Sequence, residues 1–380
     1  MLEYVNREKS NCYKWDSPQA KGNLPLWVAD MDFKAAPAII NALEKRLSHG
    51  VFGYQQVPEE YYEAVSRWFS RRHGWSGINS SNLIYTTGVV PGIAAILRAV
   101  THPSDNVATF IPAYNCFFSC IYNLECNIVR CELRCRNDHF EIDWDDFELK
   151  IKTAKVFLLC NPHNPTGRIW TYDELEHIAA ICERNNVFVI SDEIHCEFAF
   201  PDYHYTPYTL VAKTNNYCVC TSASKAFNIA GLQCANIIVP DSNMYDKINH
   251  AVNIHEVCDI NPFGMVSQMA AYNESEEWID ELNKHIFEQY NLLSDFICEH
   301  LPGMSVTKME GTYLAWVNIE KYDIHATDFC NHLAEKEHVL FNPSEMYGST
   351  GYIRINLATS RENLQTALDR LRHYVENFSS

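Results

Sequence analysis

Between residues 155 and 240 the chain alternates short, nearly unbroken apolar runs with amphipathic stretches, and that rhythm restricts its fold more than any other feature. KVFLLC (155–160), VFVISDE (187–193), YCVCTS (217–222) and LQCANIIVP (232–240) read as strands. Between the first two, Thr171 opens the helical stretch TYDELEHIAAICERN with Glu174 in the capping-box position. Strands apolar on both faces cannot border water, so they predict an α/β arrangement, a mostly parallel sheet covered by helices on each side. In such sheets ligands bind beyond the carboxyl ends of the strands.

The flanking sequence supplies the covering layers. PAIINALEKRLSHG, from residue 37, carries apolar residues at three- and four-residue intervals and stops near Gly50. PEEYYEAVSRWFSRRH (58–73) is a second helix, opened by proline and glutamates and closed by basic residues. Gly88 precedes a third, starting near Val89 to Pro91; NVATFIP is a strand, and a further helix begins near Asn115 to Phe117. After about residue 275 the texture changes to a long helix, then strand GTYLAWVNIE, helix, strand YIRINLAT and a last helix. The expected division is an N-terminal segment (1–36) packed with a small α+β domain (275–380), and a large domain (37–274).

Composition narrows the partners. The formal charge of −18 argues against nucleic acid and anionic membranes, though not against a small anion in a local pocket. No run approaches the roughly 18 apolar residues that a spanning helix needs. The opening MLEYVNREKSNCYKWDSP lacks the apolar core of a signal peptide. The 15 cysteines are scattered, several in strands, as expected of reduced thiols in a cytoplasmic protein. Cys131 and Cys135 lack a second pair at metal-site spacing, so no metal is expected.

Four positions fall just past a strand or just before a helix: Asn164 in NPHNPTG, Asp192 ending its strand, Lys225 in SASKAFNIAGLQ, and the Gly88–Val89 helix start, whose free N–H groups suit a phosphate. Each has a plain alternative. Asp192 could cap a turn, Asn164 could bond its own loop backbone, and Lys225 could be a surface lysine. Taken together they meet the needs of pyridoxal phosphate: an amine for its aldehyde, an anion for its ring nitrogen and a donor for its ring oxygen.

Eight motifs then recur in order: LWVADMDF (26–33), FGYQ (52–55), TGVVPGI (87–93), PAYNCFF (112–118), NPHNPTGRIW (161–170), SDEIHCEF (191–198), SASKAFNIAGLQ (222–233) and YIRINLA (352–358). With these the chain resembles fold-type I pyridoxal-phosphate enzymes of the aminotransferase class I/II superfamily. More narrowly it is similar to the MalY/PatB group of cystathionine beta-lyases and cysteine-S-conjugate lyases. The resemblance implies a mostly parallel seven-stranded sheet in a large three-layer α/β/α domain plus the smaller α+β domain. It assigns Lys225 as the amine that bonds the cofactor and moves the Cα proton, and Asp192 as the partner of the ring nitrogen. Asn164 would bond the ring oxygen and Tyr114 would stack on the ring, unless it is a core aromatic. Val89, Val90 and Ser222 would hold the phosphate, the valines by backbone N–H. Where many relatives place a phosphate-binding arginine, this chain has Gln233. Tyr54 would reach in from a partner subunit, implying a homodimer with active sites at its interface.

Arg354 is an arginine in an apolar strand, which is costly unless it meets an anion. It is either a structural ion pair or, as the resemblance implies, a two-pronged grip on a substrate carboxylate. His195 would lie near the ring oxygen or be a satisfied loop histidine, and Trp27 and Asp30 would line the mouth. The implied activity is β-elimination on sulfur amino acids such as L-cystathionine. An aminotransferase shares every cofactor residue and stays open as the alternative; a regulatory protein that keeps the fold is a third. Asn342, Pro343 and Ser344 in FNPSEMYGSTGYIRIN, and IPAY in place of a Pro-Pro turn, depart from the lyase pattern and leave side-chain specificity undecided.

Overall fold

The apolar runs assemble into one large sheet. In the computed structural model, which describes residues 2–255 and 259–377, eight strands line up in the order Leu83–Thr86, Ala235–Ile238, Tyr217–Thr221, Phe188–Asp192, Val156–Cys160, Asn106–Ile111, Asn127–Arg136, His139–Ile142. The five from Tyr217–Thr221 to Asn127–Arg136 are mutually parallel. Ala235–Ile238 runs against both its neighbours, and His139–Ile142 against Asn127–Arg136.

The seven-stranded expectation is therefore corrected to eight. The added edge strand, His139–Ile142, folds back on Asn127–Arg136 through Asn137 and Asp138, both at positive φ (51° and 58°). A two-residue turn with positive φ at both positions matches the strand twist, and Asn and Asp tolerate that conformation best after glycine.

The sheet's two faces bury different clusters. Leu158, Ile190 and Cys218 pack with Ile93 and Ile96 of the helix Val89–Val100. Phe157, Val189 and Val219 face the other way, into a core with Leu175, Ile178 and Trp68. Alternate residues of each strand thus serve opposite layers, which is why these strands read as unbroken apolar runs. The capping box forms as expected: Thr171 Oγ1 accepts from the Glu174 N–H at 3.2 Å, and Glu174 Oε2 from the Thr171 N–H at 2.8 Å.

Toward the C-terminus a four-stranded antiparallel sheet (Ser305–Val306, Leu314–Asn318, Tyr352–Asn356, Asn342–Pro343, in that order) accompanies the helices Glu276–His300, Ala326–Glu337 and Arg361–Glu376. The N-terminal segment joins this region. Leu24–Pro25 pairs in parallel with Val339–Leu340, the Asn356 N–H donates to the Leu26 carbonyl, and the Asp32 N–H to that of Ala358. Among the described residues no helix is long and apolar enough to cross a membrane.

Candidate active site

Three parallel strands deliver the site. Val156–Cys160, Phe188–Asp192 and Tyr217–Thr221 end level with one another: Cys160 pairs with Asp192, and Asp192 with Cys220. Asp192 stands at its strand's end, with Asn164 four residues past one neighbour and Lys225 four residues past the other. Lys225 rides on the one-turn helix Ala223–Ala226, which Ser222 caps by accepting from the Ser224 N–H at 3.0 Å.

The strand Tyr352–Asn356 brings Arg354 to the same place. Its Nη1 donates to Asn164 Oδ1 at 3.1 Å and its Nη2 to the Trp27 carbonyl at 3.0 Å; the guanidinium lies 4.8 Å from the Tyr347 ring centre. It is 3% exposed and its Nε is buried without a partner. No carboxylate lies within ion-pair distance of it among the described residues, so the structural ion pair, one of its two expected readings, is not realised. A buried guanidinium with a donor to spare invites an anion from outside the chain.

Burial and a few neighbouring charges set the electrostatics of these side chains. Burial pushes the Asp192 carboxyl up to about 7, against the Ile194 N–H that bonds it at 3.2 Å and the attraction of Lys225. Desolvation pulls the Lys225 amine down to about 8, opposed by Asp30 and helped by Arg354. His195 falls to about 3 through burial and the nearby Lys225 and Arg354, so its ring is neutral, and its Nδ1 has no partner. Tyr114, half-buried just before the helix Asn115–Tyr122, has its hydroxyl pushed up by burial and by the adjacent Cys116 thiol.

The remaining expected residues are placed less uniformly. Val89 begins the helix Val89–Val100 behind Gly88, which offers no side-chain cap, so the N–H groups of Val89 and Val90 stay available at that helix's N-terminus. The Ser222 hydroxyl donates to the Cys234 carbonyl at 2.7 Å and is committed to its own turn. Trp27 meets Arg354 with its carbonyl, while its indole N–H donates to Lys14. Asp30 pairs with Arg7 at 2.8 Å. Tyr54 is 90% exposed and is not brought to this pocket within its own chain.

Several site residues carry no sequence signal. Tyr313 and Lys225 both donate to the Ala29 carbonyl, at 3.0 and 2.6 Å. Asn342 Nδ2 donates to the Trp27 carbonyl and the Tyr347 hydroxyl, and Asn356 Nδ2 to the carbonyls of Val28 and Asp30, both at 2.6 Å. The one available hint was polar residues inside apolar strands, as in YIRIN. Away from the site, His73, Cys196 and Glu197 cluster at the wall of a cleft of about 740 Å³. There Glu197 is already bonded by Trp68, Arg72 and His73.

Residues 23–371 match the family described as aminotransferase class I and II. The chain belongs to it. Among family relatives, cystathionine beta-lyase PatB of Bacillus subtilis is 33% identical, with 92% of each chain covered. The crystal structure of cystalysin from Treponema denticola, which contains pyridoxal 5'-phosphate, superposes with a TM-score of 0.95 at 30% identity over 99% of each chain. The pyridoxal-phosphate-bound C-S lyase from Staphylococcus hominis gives 0.93 at 30% identity, covering 98% of this chain and 97% of that one. The donor set here fits that cofactor: a buried carboxylate, an amine of lowered pKa near it, and a helix start without a side-chain cap.

Proposed function

We propose that this protein binds pyridoxal phosphate and catalyses β-elimination on sulfur-containing amino acids, taking L-cystathionine to homocysteine, pyruvate and ammonia. The observation that carries the cofactor reading is Asp192, a buried carboxylate at a strand end with Lys225 near it and no cation within ion-pair distance among the described residues. A protonated ring nitrogen supplies that charge. The choice of elimination rests on the relatives, whose names are those of lyases acting on carbon–sulfur bonds.

Bound there, the cofactor supplies an electron sink for a carbanion at Cα. Lys225 would bond it and, when free, would take the Cα proton; a pKa near 8 keeps part of the amine neutral at physiological pH. Asp192 would hold the ring nitrogen charged, Asn164 and His195 would serve the ring oxygen, and Tyr114 would stack on the ring. The N–H groups of Val89 and Val90 would take the phosphate, with Ser222 joining them on exchanging its Cys234 partner. Arg354, steadied by Asn164 and Trp27, grips the substrate carboxylate, so the Cα–H bond presents itself to Lys225; Asp30 borders the mouth. The Cβ–S bond would break with its electron pair leaving on sulfur, which takes up a proton as homocysteine, and water would hydrolyse the remaining aminoacrylate to pyruvate and ammonia.

The division into a large domain (37–274) and a small one (275–380) joined by the first 36 residues belongs to the same reading. So do a homodimer in which Tyr54 enters the partner's site and a cytoplasmic setting, supported by described cysteines that are all free thiols. The test loads purified protein with pyridoxal phosphate and supplies L-cystathionine without a 2-oxo acid. Free thiol and pyruvate should appear in equal amounts over many turnovers. Amino-group transfer to a 2-oxo acid with no thiol release would replace this reading with an aminotransferase.

A further inference from the structure

Residues 27 to 31 of the N-terminal segment cross the site, and five consecutive carbonyls are each held by a side chain. Trp27 accepts from Arg354 and Asn342, Val28 from Asn356, and Ala29 from Lys225 and Tyr313. Asp30 accepts from Asn356, and Met31 from Arg7 and Asn228. Main-chain carbonyls outside regular structure are ordinarily satisfied by backbone or water. A run in which side chains from both ends of the molecule take every one is built for placement.

At its centre is the Ala29 carbonyl. It has two lone pairs, and two donors occupy it: the Lys225 amine at 2.6 Å and the Tyr313 hydroxyl at 3.0 Å. Tyr313 is fully buried, its ring 5.7 Å from that of His195, and its hydroxyl has this carbonyl as its acceptor. The carbonyls on either side are pinned by one amide, that of the buried Asn356, two residues along the strand from Arg354. The direction of the Ala29 carbonyl is thereby fixed relative to the guanidinium.

A lysine that alternates between bonding a cofactor and moving a proton needs an acceptor for its N–H groups whenever it is free. In this desolvated setting an unpartnered amine is expensive. We propose that the Ala29 carbonyl is the docking point of the free Lys225 amine during proton transfer, and that Tyr313 is the positioning residue that aims this carbonyl. The inference rests on the cofactor reading above. It adds a residue that acts through the lysine.

The Tyr313→Phe change removes one hydroxyl and keeps the ring. The holoenzyme is incubated in D2O with L-alanine, which has no leaving group, and loss of the α-proton is followed by NMR per bound cofactor. We expect exchange slowed by about 10- to 100-fold, the scale of a misplaced catalytic group. The alanine concentration for half-saturation and the visible spectrum of the bound cofactor should not move. A merely structural role would lower thermal stability or loading and leave exchange per bound cofactor unchanged, and that result would overturn the proposal. Asn356→Asp, which takes one amide donor from the same ribbon, should slow exchange in the same direction, and wild-type exchange there would also count against it. Absence of α-proton exchange in the loaded wild type would sink the proton-transfer reading itself, and this inference with it.

Discussion

At Asp192 the chain places a carboxylate where it is least stable on its own. Burial raises its value from 3.8 to about 7, so the folded state holds the proton more tightly than the unfolded one. The contribution of this group to stability is present below pH 3.8 and fades as pH rises through 7. Cofactor-free Asp192→Asn should therefore melt higher than cofactor-free wild type above pH 7, by on the order of a few kcal/mol. Scanning calorimetry across pH checks it; with cofactor bound the order should invert, because the ring nitrogen then pairs the carboxylate. Arg354→Ala should lower kcat/KM by about 10- to 100-fold, the range of a hydrogen-bonded charge pair, and mainly through KM. Arg354→Lys should recover part of it. Lys225, Asp192 and Asn164 were legible as candidates because they stand together just past neighbouring strands and match the family motifs, each alone having a plain alternative, and Arg354 because it lies in an apolar strand. Tyr313 and Asn356 were not, because what they bind are main-chain carbonyls some 300 residues away, and no spacing encodes that; Asn342 stood out only as a departure from the lyase pattern.

Among the elements, the helix Glu59–His73 shows how charge ties the layers together. Arg72 bonds Glu197 from the loop beyond Asp192, and also Glu276 and Asp280 of the long helix Glu276–His300, each at 3.1 Å. Burial alone would raise the Glu197 carboxyl, but His73 and Arg72, with the donated hydrogen bonds, bring it to about 2. Its stabilising effect is full above 4.5, its unfolded value, and is lost as pH falls toward 2. Glu197→Gln leaves Arg72 and His73 facing a neutral amide, and the urea midpoint at neutral pH should drop by the equivalent of about 3 kcal/mol. Strand existence and order of type were readable here because apolar runs and caps are local. Leu83–Thr86, Asn127–Arg136 and the edge strand His139–Ile142 went unread. The edge strand's turn uses Asn137 and Asp138 with no glycine, and its alternation, HFEI, runs for only four residues.

For the molecule as a whole, the open question posed by the surface is Tyr54. Leu47, Val51, Phe52 and Tyr54 are all more than half exposed and lie within eight residues of one another, an apolar patch that suits a partner subunit. Mixing two inactive variants tests the shared-site arrangement. Lys225→Ala and Tyr54→Ala subunits, unfolded and refolded together, should regain about a quarter of wild-type activity, since half the dimers are hybrids with one intact site. No regain would end the cross-subunit reading. The ribbon from Trp27 to Met31 has a consequence in time as well as space. Those residues are made well before the strand that clasps them, Tyr352–Asn356, with Trp27 and Arg354 separated by 327 positions. Synthesis proceeds at about 5–20 residues per second. A nascent chain therefore carries Lys225 and Asp192 for several seconds before Arg354 is made, and the site cannot be completed before then.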